Sequence, residues 1–189
     1  EEGFEQFNLS PELLKSLATN GYVKPTPIQE GAIPLIMSGK DVLGQAKTGT
    51  GKTAAFGIPS LMHVHANNSK SQALVVVPTR ELALQVKHEL QKLGHFSNAH
   101  VVAVFGGASL MGQAAELKRG AHIVVGTPGR LLDFLRQKIL DFSQLKIVVL
   151  DEADKMLDMG FVEDIERIFS HLPAKRQTLL FSATMPSGI

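Results

Sequence analysis

The sequence predicts an α/β fold, an open and mostly parallel β-sheet with helices on both faces. Two observations predict it. Apolar runs of strand length alternate with segments of helical periodicity along the 189-residue chain. Several runs are continuous and rich in valine and isoleucine, which is typical of strands buried on both faces of a parallel sheet. Such alternation favours right-handed crossovers between parallel strands. We expect strands at residues 42–45, 73–77, 101–105, 123–125, 147–150 and 178–181.

Apolar side chains that recur at helical spacing predict helices between these strands. A further apolar helix is expected over residues 54–61, and the polar stretch 65–71 predicts a loop. Residues 1–40 predict a helical segment that belongs to the same domain as the sheet region 41–189. The two clearest one-sided stripes are Leu82, Val86, Leu90 and Leu93, and Phe161, Ile165, Ile168 and Leu172.

Composition limits the possible functions but selects none of them. The chain has 44% hydrophobic and 20% charged residues, as ordinary globular proteins do, and a formal net charge of only +1. Any nucleic-acid binding must therefore come from local sites rather than from overall charge. The absence of cysteine excludes disulfides and thiolate metal sites. Neither a membrane-spanning run nor a signal-peptide core is visible, so we expect no membrane association and an intracellular, most simply cytoplasmic, location.

A glycine-rich segment after the first expected strand has the spacing of a phosphate-binding P-loop, with alanine in place of the first glycine. Glycines let backbone N–H groups surround phosphate oxygens, and the N-terminus of the next helix attracts the same anion. Lys52 is expected to pair with the β- and γ-phosphates and Thr53 to offer its hydroxyl to Mg²⁺. The alternative is a plain flexible turn. The segment consists of Ala46, Lys47, Thr48, Gly49, Thr50, Gly51, Lys52 and Thr53.

Acidic residues follow the expected strand 147–150 directly. A carboxylate at the end of a buried strand near a P-loop is where nucleotide hydrolases hold Mg²⁺, so Asp151 is the candidate metal ligand. Glu152 is then placed to orient or deprotonate the attacking water. The alternative is that Asp151 or Asp154 merely caps the next helix.

Three further strand or helix boundaries carry residues that attract anions. Threonine precedes a helical stripe at Thr26, Thr79 and Thr127, so we expect all three to act as helix N-caps. A capped helix N-terminus still attracts phosphate, and paired glycines allow close backbone approach. Because one nucleotide cannot occupy all these places, they suggest a second, extended phosphate ligand. The residues concerned after the strands are Thr79, Arg80, Gly106, Gly107, Thr127, Pro128, Gly129 and Arg130.

Two hydroxyl residues, Ser182 and Thr184, follow the last expected strand. They form either a simple turn or hydrogen bonds to the acidic strand end, whose state they would then sense.

Together these segments resemble the DEAD-box RNA helicases over nearly the whole chain. Residues 21–29 are similar to the adenine-reading Q motif, with Phe4 at the position of an upstream aromatic. The P-loop is the family's own form, which begins with alanine. Residues 78–83, Gly106-Gly107 and 127–130 match RNA-contacting motifs, residues 151–154 spell Asp-Glu-Ala-Asp, and 182–184 match a coupling motif. Tyr22 stands where phenylalanine is usual and Lys47 where glutamine or serine is common.

The resemblance implies a RecA-like P-loop NTPase domain that binds ATP and Mg²⁺. It implies that Gln29 reads adenine, which packs near Phe4 and Tyr22, and that Lys52, Asp151 and Glu152 catalyse hydrolysis. Coupling is implied for Asp154, Ser182 and Thr184.

Single-stranded RNA would lie on the sheet edge, contacted mainly through sugar and phosphate at the anion-attracting residues and at Pro78. The family has a second RecA-like lobe with arginine fingers, whose motifs are not found here. We therefore expect a fragment of an ATP-dependent RNA helicase that is nearly inactive alone and has possible protein cofactors. The alternatives are another P-loop NTPase, such as a GTPase or transporter ATPase, and a non-catalytic RNA- or protein-binding module.

Overall fold

The structure, a computed structural model, describes residues 3–189. At its centre is a six-stranded sheet with the order β1-β6-β5-β2-β4-β3. Every neighbouring pair is parallel, so the sheet is more uniform than the expected mostly parallel one. The predicted strands are confirmed, with ends displaced by at most one residue. They are β1 (Val42–Gln45), β2 (Ala73–Val76), β3 (Val101–Val104), β4 (Ile123–Gly126), β5 (Ile147–Asp151) and β6 (Gln177–Ser182).

Helices occupy the predicted connections, and residues 65–71 form a loop as expected. The segment before the sheet consists of a 3-10 helix (Phe4–Phe7) and two α-helices, which confirms its helical character. The α-helices are α1 (Pro11–Thr19), α2 (Pro27–Met37), α3 (Lys52–His63), α4 (Arg80–Leu93), α5 (Leu110–Lys118), α6 (Pro128–Arg136), α7 (Ala153–Asp158) and α8 (Val162–Phe169).

The sheet separates two hydrophobic cores. Side chains alternate between faces, so Val75 and Val149 pack with α1–α4, whereas Leu74 and Val148 pack with α5–α8. Both faces of the central strands are therefore buried, which is why those strands are continuous apolar runs. Burying each such side chain stabilises the fold by roughly 1.5–3 kcal/mol. Strand β1 lies at the edge, and its Leu43 is 62% exposed.

The three threonines lie at helix N-caps, but they cap in different ways. The Thr79 hydroxyl accepts a hydrogen bond from Leu82 N–H at 3.2 Å, as predicted. Thr26 forms a capping box with Gln29, in which the 2.9 Å bond runs from Thr26 N–H to the Gln29 amide oxygen. The reciprocal contact of the Thr26 hydroxyl falls short of a hydrogen bond. Thr127 makes no side-chain cap bond, so the prediction of hydroxyl capping is wrong there. Pro128 at the first helical position lacks one of the N–H groups that a helix N-terminus leaves unpaired.

The strand order assigns the predicted motifs to two halves of one edge. All strands end at the same edge because all are parallel, and ligands of such sheets bind beyond that edge. The P-loop, hydroxyl and acidic segments follow β1, β6 and β5, which are neighbours. The threonine and glycine segments follow β2, β4 and β3, which are also neighbours. Across residues 3–189, none of the helices combines the length and apolar character that a membrane crossing requires.

Candidate functional site

The P-loop is a tight turn between β1 and α3. Gly49 and Gly51 have φ angles of 87° and 85°, the left-handed region that glycine enters without strain. A Cβ atom on Gly51 would lie 2.5 Å from the amide nitrogen of Gln29, so only glycine fits there. Residues Lys47, Thr48, Gly49 and Thr50 are exposed, with their backbone available to a ligand at the N-terminus of α3.

Lys52, the first residue of α3, is buried against the acidic end of β5. Its ammonium lies 2.9 Å from Asp151 Oδ1 and 3.5 Å from Glu152 Oε2. Only 6% of Lys52 and 0% of Asp151 are exposed, so these charges interact in a medium that screens them weakly. Burial raises the pKa of Asp151, and the neighbouring ammonium opposes that rise.

The carboxylate of Asp151 has an oxygen available to bind a cation. Its Oδ1 is paired with the Lys52 ammonium, whereas within residues 3–189 its buried Oδ2 has no hydrogen-bond partner. A buried oxygen without a partner is costly, and a cation would relieve that cost. The half-buried Thr53 stands one residue after Lys52 in the same helical turn. No group of three or more His, Cys, Asp or Glu side chains able to hold a metal occurs in the described chain. Mg²⁺ at nucleotide sites needs only one or two carboxylates besides phosphate and water, so this arrangement fits it.

Glu152 has a backbone conformation that few non-glycine residues adopt. Its φ of 57° and ψ of 50° are left-handed, at a cost of roughly 1–2 kcal/mol. The side chain is held from two sides, by Lys52 and by Lys155, whose ammonium is 3.2 Å from Glu152 Oε1. The sequence analysis missed Lys155, although its position three residues after Glu152 on a short helix was a usable signal.

The hydroxyl segment after β6 contacts the acidic segment, as one of the two alternatives predicted. Ser182 Oγ accepts from Asp154 N–H at 3.0 Å. The N–H and hydroxyl of Thr184 both donate to Asp154 Oδ2, at 3.1 and 2.9 Å. Partial burial acts to raise the pKa of Asp154, but the bonds from Thr184 and Ser182 outweigh it and the pKa is lowered. Asp154 is therefore an anion at neutral pH that joins β6 to α7.

Gln29 links the N-terminal helices to the P-loop. It is 2% exposed, its amide oxygen accepts from Thr26 N–H, and its amide nitrogen donates to Gly51 O at 3.0 Å. An amide has two lone pairs and two N–H groups, so one of each remains for a ligand. The sequence alone does not show this contact with the P-loop.

Two cavities flank the P-loop. One of about 530 Å³ lies between the start of α2 and the end of β1, and its lining includes Ile28, Gln45 and Ala46. The other, of about 250 Å³, is lined by Tyr22, Lys52, Glu152 and the glycines of the loop. The first lies within the usual size range of small-molecule sites and the second just below it.

Phe4 does not line either cavity in the described chain. It is 3% exposed and packs edge-on against Tyr22, with ring centroids 6.1 Å apart. Phe4 thus contacts the cavity lining indirectly, through Tyr22.

The three anion-attracting segments, which follow β2, β3 and β4, lie together at the carboxyl edge of the sheet. Arg80 is exposed, and its guanidinium lies 5.2 Å from the ring of Phe105. Gly106 and Gly107 are exposed beside it, and a Cβ atom on Gly107 would lie 3.9 Å from Arg80 Nη1. Gly129 is also exposed, while Pro78 and Pro128 are buried.

Arg130 is fixed rather than free. Its guanidinium donates to Gln113 Oε1 at 2.9 Å and to Ala108 O at 3.4 Å. Gln113 in turn exchanges two 3.1 Å hydrogen bonds with the backbone of Phe105. The sequence analysis missed Gln113 because a glutamine within a helix carries no local signal for such a contact.

Comparison with known proteins gives consistent results. The family model described as DEAD/DEAH box helicase matches residues 26–189. The DEAD-box ATP-dependent RNA helicase CshA of Streptococcus pneumoniae serotype 4 is 54% identical over 186 residues, which are 98% of this chain and 36% of that protein. The helicase CshA of Geobacillus kaustophilus is 53% identical, over 98% of this chain and 40% of that protein.

Among solved structures, a DEAD box protein from the hyperthermophile Methanococcus jannaschii superposes with a TM-score of 0.95. It is 42% identical, and the match covers 100% of this chain and 52% of that one. The chain spans 36–40% of the length of the two CshA proteins and about half of the solved chain.

Proposed function

The chain belongs to the DEAD/DEAH box helicase family, and from this premise we propose that it is the ATP-binding lobe of an ATP-dependent RNA helicase. The observation that carries the proposal is the buried cluster of Lys52, Asp151 and Glu152 at the P-loop. A purely structural role does not explain why two carboxylates and an ammonium are buried together, because burying charge is costly. Phosphate chemistry does explain it.

Nucleotide binding follows from the geometry of the P-loop. The glycine turn and the start of α3 would hold the phosphates, and Lys52 would exchange its carboxylate partners for phosphate oxygens. Gln29 would use its remaining donor and acceptor on the adenine edge, with Tyr22 nearby. Because Gln29 also bonds Gly51, occupation of the adenine site would act directly on the shape of the phosphate loop.

Mg²⁺ would be held by Asp151 and Thr53 and would supply neutralisation of phosphate charge. In hydrolysis, Glu152 would take a proton from water as the water oxygen bonds to the γ-phosphorus and the bond to ADP breaks. Its two lysine contacts keep this carboxylate oriented. The hydrogen bonds from Asp154 N–H to the Ser182 hydroxyl and from the Thr184 hydroxyl to Asp154 would carry the state of the site to β6.

RNA would cross the half of the edge formed by β2, β4 and β3. Arg80 and the exposed backbone at Gly106, Gly107 and Gly129 suit sugar–phosphate contacts, which carry no sequence information. Arg130 would contribute through the network it shares with Gln113. A second lobe of the longer protein would complete both sites.

Calorimetric titration of the chain with ADP and GDP tests the nucleotide proposal. We expect ADP to bind better than GDP, and Lys52→Ala to weaken ADP binding at least tenfold. Lys15→Ala, which removes an exposed lysine from α1, serves as the matched control and should leave binding unchanged. Equal ADP affinity in both variants would show that the buried ammonium does not serve phosphate binding.

A further inference from the structure

The amino ends of the strands, opposite the candidate functional site, carry a row of cations. Five of the six strands are preceded by an exposed lysine or arginine within four residues of the strand's first residue. A histidine, His100, precedes the sixth strand, β3. In spatial order from β1 to β4, the cations are Lys40, Lys175, Lys146, Lys70 and Arg119. We call these five residues the basic row.

The basic row follows one edge of the sheet because the strands are parallel and adjacent. Neighbouring strands lie about 4.8 Å apart, so five strands place their cations along roughly 20 Å. Lys118 adds a further charge, because it lines one cavity of about 210 Å³ with Lys70 and Arg119. The row therefore presents a linear positive surface on a protein whose net charge is only +1.

Few anions neutralise this row. Asp41 bonds the backbone N–H of Thr178, and Asp141 pairs with Lys70 at 3.1 Å. Lys146 donates to a backbone carbonyl. Within residues 3–189, the side chains of Lys40, Lys175 and Arg119 have neither a hydrogen bond nor an ion pair.

Helix dipoles do not account for the row. Cations favour helix C-termini, but the effect decays within the last turn. Lys146 follows the end of α6 by ten residues and Lys175 follows the end of α8 by six. Two members do lie at helix ends: Arg119 is the C-cap of α5, and the backbone N–H of Lys40 bonds the carbonyl of Leu35 in the last turn of α2. The dipole effect therefore applies to these two cations and not to Lys146 or Lys175.

We propose that the basic row is a second RNA-binding surface, which holds the sugar–phosphate backbone of RNA outside the carboxyl-edge site. A linear array of exposed cations on a rigid sheet edge matches a linear polyanion better than it matches a folded acidic surface. The members of the row are charged side chains, which suit contacts with sugar and phosphate that carry no sequence information, so binding should be independent of sequence. The proposal concerns RNA and thus rests on the proposed function.

The test variant replaces three members of the row, Arg119→Gln, Lys146→Gln and Lys175→Gln. Affinity for a 20-nucleotide single-stranded RNA is measured by fluorescence anisotropy between 50 and 300 mM salt. Each lost phosphate contact lowers the salt slope of log K by about 0.7, so the slope should fall by about 2. Affinity at the lowest salt should fall at least tenfold.

The matched control removes three cations that do not belong to the row, with Lys15→Gln, Lys87→Gln and Arg167→Gln. It has the same net charge as the test variant and should keep the wild-type slope. Equal slopes for the test and control variants overturn the proposal. So does a wild-type chain that binds no RNA at low salt, while ADP titration reports separately on the nucleotide site.

Competition identifies the ligand class. Polyglutamate at equal charge concentration should displace RNA from the wild-type chain poorly. Equal displacement by polyglutamate would assign the row to an acidic protein partner and overturn RNA as its ligand.

Discussion

Replacing Gln29 with alanine removes the residue that joins the start of α2 to the P-loop. Two hydrogen bonds disappear, one from Thr26 N–H and one to Gly51 O. Each is worth about 1 kcal/mol net, so the free energy of unfolding should fall by about 2 kcal/mol. The fold should survive, because the hydrophobic cores on both sides of the sheet are unaffected.

The effect on nucleotide binding should depend on the base. A bidentate amide contact with the adenine edge is worth about 1–3 kcal/mol. Its loss should weaken the binding of ADP by roughly 5- to 150-fold. The affinity for GDP should fall less, because guanine presents acceptors where adenine presents its amino donor. A relaxed P-loop would lower the affinity for both nucleotides by the same factor, so the ratio of ADP to GDP affinity separates base recognition from loop geometry.

Calorimetric titration of wild type and Gln29→Ala with both nucleotides measures this ratio. Gln45→Ala is the control, because Gln45 is an exposed glutamine that lines the cavity of about 530 Å³ beside the P-loop. The ratio should fall for Gln29→Ala and stay constant for Gln45→Ala. An unchanged ratio in Gln29→Ala would refute adenine reading by this amide and leave it a purely structural link.

Three further predictions concern catalysis and stability. In the chain joined to its second lobe, Glu152→Gln should leave ATP binding nearly intact and slow single-turnover hydrolysis by about 10²–10⁴-fold, because glutamine cannot take a proton. Near-normal hydrolysis would make Glu152 structural. The chain alone should show little steady-state ATPase with or without RNA, because an arginine finger contributes roughly 10³–10⁵ in rate. This prediction would be contradicted if the chain alone hydrolysed ATP at the rate of the two-lobe protein and Lys52→Ala abolished that activity. Asp141 has a pKa lowered to about 2 by hydrogen bonds from Ser143 and by Lys70, so its stabilising effect is present above pH 4 and lost as pH falls towards 2. Asp141→Asn should lower the free energy of unfolding at pH 7, by less than about 1 kcal/mol for this exposed pair. The difference in melting temperature between the variant and wild type should shrink as pH falls towards 2. A pH-independent difference would show that the charge of Asp141 is not involved.

The elements of the fold were predictable because their signals are local. A strand covered on both faces has to be a continuous apolar run, and such runs locate five of the six strands within one residue at each end. Edge strand β1 was also located, although Leu43 is exposed, because the glycine-rich turn marks its end. The P-loop was predictable for the same reason, since glycine is required by positive φ angles at Gly49 and Gly51.

Helix capping by a side chain could not be predicted from local sequence alone. Thr79 and Thr127 have the same local pattern, a threonine between a buried strand and a helix. Only Thr79 caps with its hydroxyl. The difference lies in the rotamer and surroundings of each side chain, which the tertiary structure determines.

By itself, the sequence determined that the candidate site residues follow strands of one parallel sheet, and it predicted the chemistry of each. The tertiary structure alone decided which of them meet. Lys52 and Asp151 are 99 positions apart and form a buried ion pair because β1 and β5 flank β6. The same strand order divides the edge into two halves and aligns the basic row at the opposite end. The physical reason is that periodicity reports the burial of each segment, whereas strand order depends on crossovers that skip neighbours and on packing across the whole sheet.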